Sequence, residues 1–182
     1  MGCSGCKNIE TNNNKRIETD NTYIPINNNF IFDNPEKIID LDLKGKFKDP
    51  SNNFKTLCQN NFPNLENLNL SNNNLSDISD LQKLKAPKLI ILDLSNNNIK
   101  DLEVFKKVDF VLEELHLKGN SIDQIGVFVE AKSLENLKIL RASIIDNESN
   151  RSIITNMQKN NIILREQLIK KVPTLELSLS KE

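Results

Sequence analysis

The chain is predicted to be an α/β domain of stacked coils, each a short strand, a turn and a short helical segment, and two observations predict this. First, one apolar spacing recurs in fixed phase: Leu65-x-x-Leu68-x-Leu70-x-x-Asn73-x-Leu75, then Leu89-x-x-Leu92-x-Leu94-x-x-Asn97-x-Ile99, then Leu112-x-x-Leu115-x-Leu117-x-x-Asn120-x-Ile122. The periods are 24 and 23 residues, the signature of a unit that cannot bury its apolar side alone and must stack on copies of itself. Second, the apolar period changes after each asparagine. Ile78, Leu81 and Leu84, and again Ile99, Leu102 and Phe105, recur every third residue, which suits a 3₁₀ turn or short helix.

Each element follows from the chemistry of its positions. Alternation places Leu68 and Leu70, and their equivalents, on the inward side of a strand and the residues between them on the open side. The asparagine at the bend leaving the strand can satisfy backbone groups that the bend leaves unpaired, so Asn73, Asn97 and Asn120 are expected to form a ladder. Pro63 and Pro87 stand two residues before the next strand, where they halt the helical segment. This is the leucine-rich repeat. Fainter copies flank the three clear ones: Ile38, Leu41 and Leu43 with Lys46 in the asparagine position, and Leu137, Leu140 and Ala142 with Ile145 there. Terminal repeats are commonly degraded in this way because they cap the stack. Asn34-Pro35-Glu36 resembles a helix start, Phe54, Leu57 and Cys58 fall at helical spacing as core, Ile163, Leu164, Leu168 and Val172 form a closing helical stripe, and Pro173-Thr174-Leu175 resembles the start of one more strand. The expected architecture is a leucine-rich repeat solenoid over residues 31–182. It has about five to six repeats with capping elements, a short curved parallel sheet on the concave side and short helices on the convex side.

Asparagine is used in two ways. The triplets at 72–74 and 96–98 sit in phase with the repeat, whereas those at 12–14 and 27–29 lie in a polar stretch with too little apolar surface to order itself. Residues 1–30 are therefore expected to be a flexible, disordered tail.

Composition limits the function. The formal net charge is −1 with a pI near 6.0, which gives no overall basic field for nucleic acid. No apolar run approaches the roughly 18–20 residues needed to span a bilayer, and no secretory signal is read at the amino end, so the chain is expected on the cytosolic side of membranes. Cys3 and Cys6 lack a second close pair, Cys58 stands apart and His116 is the sole histidine, so neither zinc nor a redox pair is expected. His116 lies near Glu114, yet no nucleophile, phosphate loop or metal cluster completes a catalytic site. No cofactor is expected and the chain is read as noncatalytic.

Three stretches carry a closer resemblance. "NFPNLENLNLSNNNLSDISDLQKLKAPKLIILDLSNNNIKDL", "LEELHLKGNSI" and "IILREQLIKKVPTL" make the run from about Phe54 to Leu175 similar to the repeat domain of the nuclear RNA export factors, the TAP family. The resemblance implies the fold and, as an alternative function, an RNA-export or RNA-binding module. The RNA-recognition domain, transport-factor-like domain and nucleoporin-binding tail of those factors have no counterpart in these residues. Soluble protein-phosphatase regulatory repeat proteins show similar stretches and supply a further alternative.

The opening MGCSGCK resembles the amino termini of dually acylated Src-family kinases, with Lys7 at the matching place. Removal of Met1 leaves the Gly2 amine for myristate, and Cys3 and Cys6 offer thiols for palmitate. The general acceptor pattern has Ser or Thr where this chain has Cys6. The expected location is the cytoplasmic face of a membrane, the plasma membrane first, with nucleus or cytosol as alternatives.

Strand alternation also gives an expected partner surface. The central concave position reads Asp42, Asn69, Asp93, His116 and Arg141, and the position two before it reads Asp40, Asn67, Ile91, Glu114 and Ile139. The surface runs from acidic to mildly basic, with two isoleucines on an otherwise polar face, as protein-binding patches tend to be. A protein partner on this face, no nucleic acid and a monomeric chain are the expectations.

Overall fold

The structure is a computed structural model that describes residues 23–26, 29–122, 125–144, 151–152 and 176–178. Gly2, Cys3, Cys6, Ile145 and the stripe Ile163, Leu164, Leu168 and Val172 lie outside the described residues.

Five short strands follow one another in chain order as a parallel sheet: β3 (Asp40–Asp42), β4 (Asn67–Asn69), β5 (Ile91–Asp93), β6 (Glu114–Ile122) and β7 (Ile139–Ile144). Parallel neighbours require a crossover, and here the crossovers are α1 (Pro50–Cys58), the 3₁₀ turns Ser79–Lys83 and Glu103–Lys106, and the segment containing α2 (Val127–Glu130) and the 3₁₀ turn Lys132–Leu134. The result is a mixed α/β arrangement that fits the leucine-rich-repeat type. Leu41, Leu68, Leu92, Leu115 and Leu140 lie in register and are all buried. Phe54, Phe62, Phe105 and Phe110 fill the space between the sheet and the crossovers. The first crossover is a true helix because Asp49 caps it, accepting from the Asn52 N–H at 3.2 Å, with Pro50 at its start. The next two are 3₁₀ turns started by Asp77 and Asp101, whose carboxylates accept from Ser79 N at 2.8 Å and Glu103 N at 2.7 Å.

Two expectations need correction. The tail boundary at residue 30 falls inside an antiparallel hairpin, β1 (Tyr23–Ile26) with β2 (Asn29–Phe32). Phe30 and Phe32 are buried, and their rings meet Phe47 at 5.4 Å and Phe62 at 5.0 Å. Directly after the polar asparagines 27–29, the alternation Phe30, Phe32 supplies an apolar lid for the first coil. Asn34 does not cap a helix through its side chain: it precedes a 3₁₀ turn, Pro35–Lys37, and contributes its carbonyl to Lys37 N at 2.9 Å. The strand expected after Leu175 is present as β8 (Glu176–Ser178), and it pairs antiparallel with β7 at the edge of the sheet.

The asparagines of the repeat have two structural jobs. Asn73, Asn97 and Asn120 are 2%, 5% and 8% exposed, and each amide group bonds backbone in two adjacent coils. Asn97 donates to Leu70 O at 3.0 Å and Leu94 O at 2.9 Å and accepts from Asn73 N and Leu75 N, both at 3.0 Å. Asn73 donates to Leu43 O and Leu70 O and accepts from Phe47 N, and Asn120 donates to Leu94 O and Leu117 O and accepts from Ile99 N. In the first coil, Lys46 has no such side chain, and its own N–H closes the bend on Leu43 O at 3.1 Å. The second job is conformational. The residue just before each ladder position is left-handed in four successive coils: Gly45 (φ 61°), Asn72 (φ 60°), Asn96 (φ 53°) and Gly119 (φ 74°). Glycine and asparagine are the two residues that adopt this conformation most readily, which explains why one triplet asparagine aligns with a glycine elsewhere.

Candidate interaction surface

Pairing aligns two rows across the five parallel strands. Asp40, Asn67, Ile91, Glu114 and Ile139 form one, and Asp42, Asn69, Asp93, His116 and Arg141 form the other. Because the intervening leucines are buried, both rows share the opposite face of the sheet. Asp42 and Arg141 are exposed, and the other eight are half-buried.

Three members of the second row have a structural duty that sequence reasoning missed. Asp42 Oδ1 accepts from Lys44 N at 3.0 Å, Asn69 Oδ1 from Ser71 N at 3.0 Å, and Asp93 Oδ1 from Ser95 N at 2.8 Å. Each is the same local turn, a side-chain oxygen taking the N–H two residues on. The signal was present as Asp or Asn in the same repeat position three times running, two residues before Lys44, Ser71 and Ser95.

His116 occupies the fourth place and pairs sideways. Arg141 Nη1 donates to His116 Nε2 across 2.5 Å, which makes Nε2 an acceptor and puts the ring proton on Nδ1. Nδ1 faces Asp93 Oδ2 at 3.8 Å, and Glu114 Oε2 lies 3.5 Å from Nε2. Burial alone would raise the Asp93 carboxyl, but hydrogen bonds from His116 and Ser95 outweigh it and hold the group below the usual carboxylate range. A lowered folded-state pKa means that the stabilisation is present above the unfolded value and lost as pH falls through the folded one. The stability difference between wild type and Asp93→Asn is therefore expected to hold above the ordinary carboxylate value of 3.8 and to narrow as pH falls below it, read by thermal unfolding. A constant difference below that value would mean that these bonds do not favour the ionised form.

In the first row, Asn67 Nδ2 donates to Asp40 Oδ1, while Asn67 Oδ1 is buried without a hydrogen-bond partner among the described residues. Elsewhere, a recess of about 420 Å³ is lined by Lys100, Asp101, Leu102, Glu103, Gly126, Val127 and Glu130. Its carboxylates are already engaged: Asp101 starts the 3₁₀ turn, and Lys106 bridges Glu103 at 2.9 Å and Glu130 at 2.5 Å. Cys58 is buried, and burial pushes its thiol well up, away from the reactive thiolate. Among the described residues no cluster of three His, Cys, Asp or Glu could hold a metal ion, and no helix is long and apolar enough to cross a membrane.

No match is found among curated proteins. The stretch from within α1 to the 3₁₀ turn before β7, residues 53–133, matches the family model described as the NXF1/2/3/5 leucine-rich repeat domain.

Proposed function

We infer that the chain is a noncatalytic interaction module that takes a protein partner on the sheet face. In this reading the coils stack as a monomeric solenoid held at the cytoplasmic face of a membrane, the plasma membrane first, by myristate on Gly2 and palmitate on Cys3 and Cys6. The observation that supports the partner is the register: half-buried Ile91 and Ile139 flank Glu114 in one row of a polar face, an apolar footing inside a polar surround. The anchor is supported by MGCSGCK and by energetics. One myristoyl chain binds bilayers with an association constant on the order of 10⁴ M⁻¹, so stable attachment takes a second signal. Lys7, Lys15 and Arg16 are offset by Glu10, Glu18 and Asp20, which leaves the two thiols as that signal.

One experiment tests both halves: labelling with a clickable myristate analogue, fractionation and partner capture on the same variants. Gly2→Ala is expected to make the protein soluble, Cys3→Ser with Cys6→Ser to leave weak, transient association, and Ile91→Asp with Ile139→Asp to lose the partner while keeping the label. Wild type that is soluble and unlabelled overturns the anchor, and undiminished capture by the isoleucine double variant overturns the face.

The match over residues 53–133 favours a second reading, a nuclear RNA-export or RNA-binding module. The face mixes Asp40, Asp42, Asp93 and Glu114 with Lys44, Lys118 and Arg141, so a phosphate backbone would meet few partners and several like charges. Submicromolar RNA binding with a steep salt slope, lost on changing Lys118 and Arg141, would replace the adaptor reading.

A further inference from the structure

The three identical bends of the second row contain an internal comparison. Asp42, Asn69 and Asp93 hold the same turn with one oxygen each, at 3.0, 3.0 and 2.8 Å. A neutral carboxamide is enough to hold it, since Asn69 Oδ1 takes both the N–H and the hydroxyl of Ser71, the latter at 2.7 Å. The negative charge on Asp42 and Asp93 therefore exceeds what the bend needs. The Oδ2 of Asp93 stands 3.8 Å from His116 Nδ1.

The first row is also rich in acceptors. Asp40 and Glu114 add two more carboxylates, and Asn67 Oδ1 is a buried acceptor with no donor among the described residues. Against these stand Arg141, which is already turned onto His116, and Lys44 and Lys118, each two residues beyond the second row at the rim of the face. Strands in a sheet lie about 4.8 Å apart, so Asp42 and Asp93, two strands apart across Asn69, are separated by roughly 10 Å of sheet. That is a span over which two long cationic side chains of one polypeptide segment can reach both.

We propose that the sheet face recognises a cationic polypeptide segment, with lysine or arginine side chains donating to Asp42 and Asp93, flanked by Asp40 and Glu114, while an apolar side chain of the same segment rests on Ile91 and Ile139. The proposal rests on the reading of this face as the protein-binding surface and adds the chemistry of what binds there. Arginine suits the site best, because its five N–H donors match carboxylates in pairs.

The test uses the full chain and three dodecapeptides of one frame, with two leucines fixed and four positions filled by arginine, glutamine or glutamate, titrated at low salt while backbone amide shifts are followed. The arginine peptide is expected to move amides of β3 to β7 and to bind roughly tenfold tighter than the glutamine peptide, as two or three exposed ion pairs would give. Asp42→Asn with Asp93→Asn keeps the bends, as Asn69 does, and is expected to remain folded by amide dispersion while losing most of that preference. Equal binding of all three peptides on these strands, or tightest binding of the glutamate peptide there, overturns the charge proposal and leaves the face as a binding surface. Shifts confined to other parts of the molecule, or no binding by any peptide, overturn the proposal together with the reading it rests on.

Discussion

Asn97→Leu is expected to destabilise the domain by about 2–6 kcal/mol, because it leaves two buried N–H groups, those of Asn73 and Leu75, without an acceptor at about 1–3 kcal/mol each. The carbonyls of Leu70 and Leu94 lose a donor at the same time. Leucine is also bulkier than the planar amide it replaces, so any overpacking at this buried site adds to the loss of hydrogen bonds. Such a loss is a large fraction of the roughly 5–15 kcal/mol that holds a domain together, and it would show as a shift in the denaturant midpoint. The neighbouring Asn98 is exposed, so Asn98→Leu should stay within about 0.5 kcal/mol of wild type. Asn13→Leu, outside the described residues, should be nearly silent too. Similar losses at 97 and 98 would mean that the amide of Asn97 is not what closes the bend.

The second large effect concerns the left-handed column. Gly119→Ala is expected to cost about 2–3 kcal/mol, more than Gly45→Ala at about 1 kcal/mol. Both residues have positive φ, 74° and 61°, so each substitution carries the penalty for a side chain in that region. The difference lies in the surroundings. A Cβ on Gly119 would fall 2.3 Å from Asn96 Oδ1 and 3.2 Å from Asn96 Cα, whereas one on Gly45 would meet only Asn72 O at 3.7 Å. The Asn96 side chain can turn away, but its Cα cannot move without disturbing the neighbouring coil. Chemical denaturation of the two variants side by side checks the order, and a larger loss at Gly45 would refute this account of the column.

Much of the sheet was legible because the leucine spacing is a one-dimensional record of a stacked unit. Leu68, Leu92 and Leu115 repeat in phase and end up side by side in register, and even the weak copies around Leu41 and Leu140 follow. What was not legible depends on contacts that no period announces. Phe30 and Phe32 join the core through rings from distant segments, Phe47 and Phe62, so a polar tract hid the end cap. The antiparallel pairing of β8 depends on which way the chain returns to β7, and the letters around Pro173 carry no direction. On the sheet face, alternation placed Asp42, Asn69 and Asp93 on the open side but did not show that one oxygen of each is committed to a turn. The pairing of His116 with Arg141 was hidden for the same reason, since it joins adjacent coils 25 residues apart.

The ladder has a direction, and this matters during synthesis on the ribosome. Asn73 reaches back to Leu43 O and Phe47 N, Asn97 back to Leu70 O and Leu75 N, and Asn120 back to Leu94 O and Ile99 N. A coil is therefore completed by a residue of the coil that follows it, never by one that has already emerged. At about 5–20 residues per second, each newly made coil waits roughly one to five seconds for the next 23 or 24 residues before its bend is satisfied. Throughout translation the last coil to emerge therefore lacks the acceptor for its own bend.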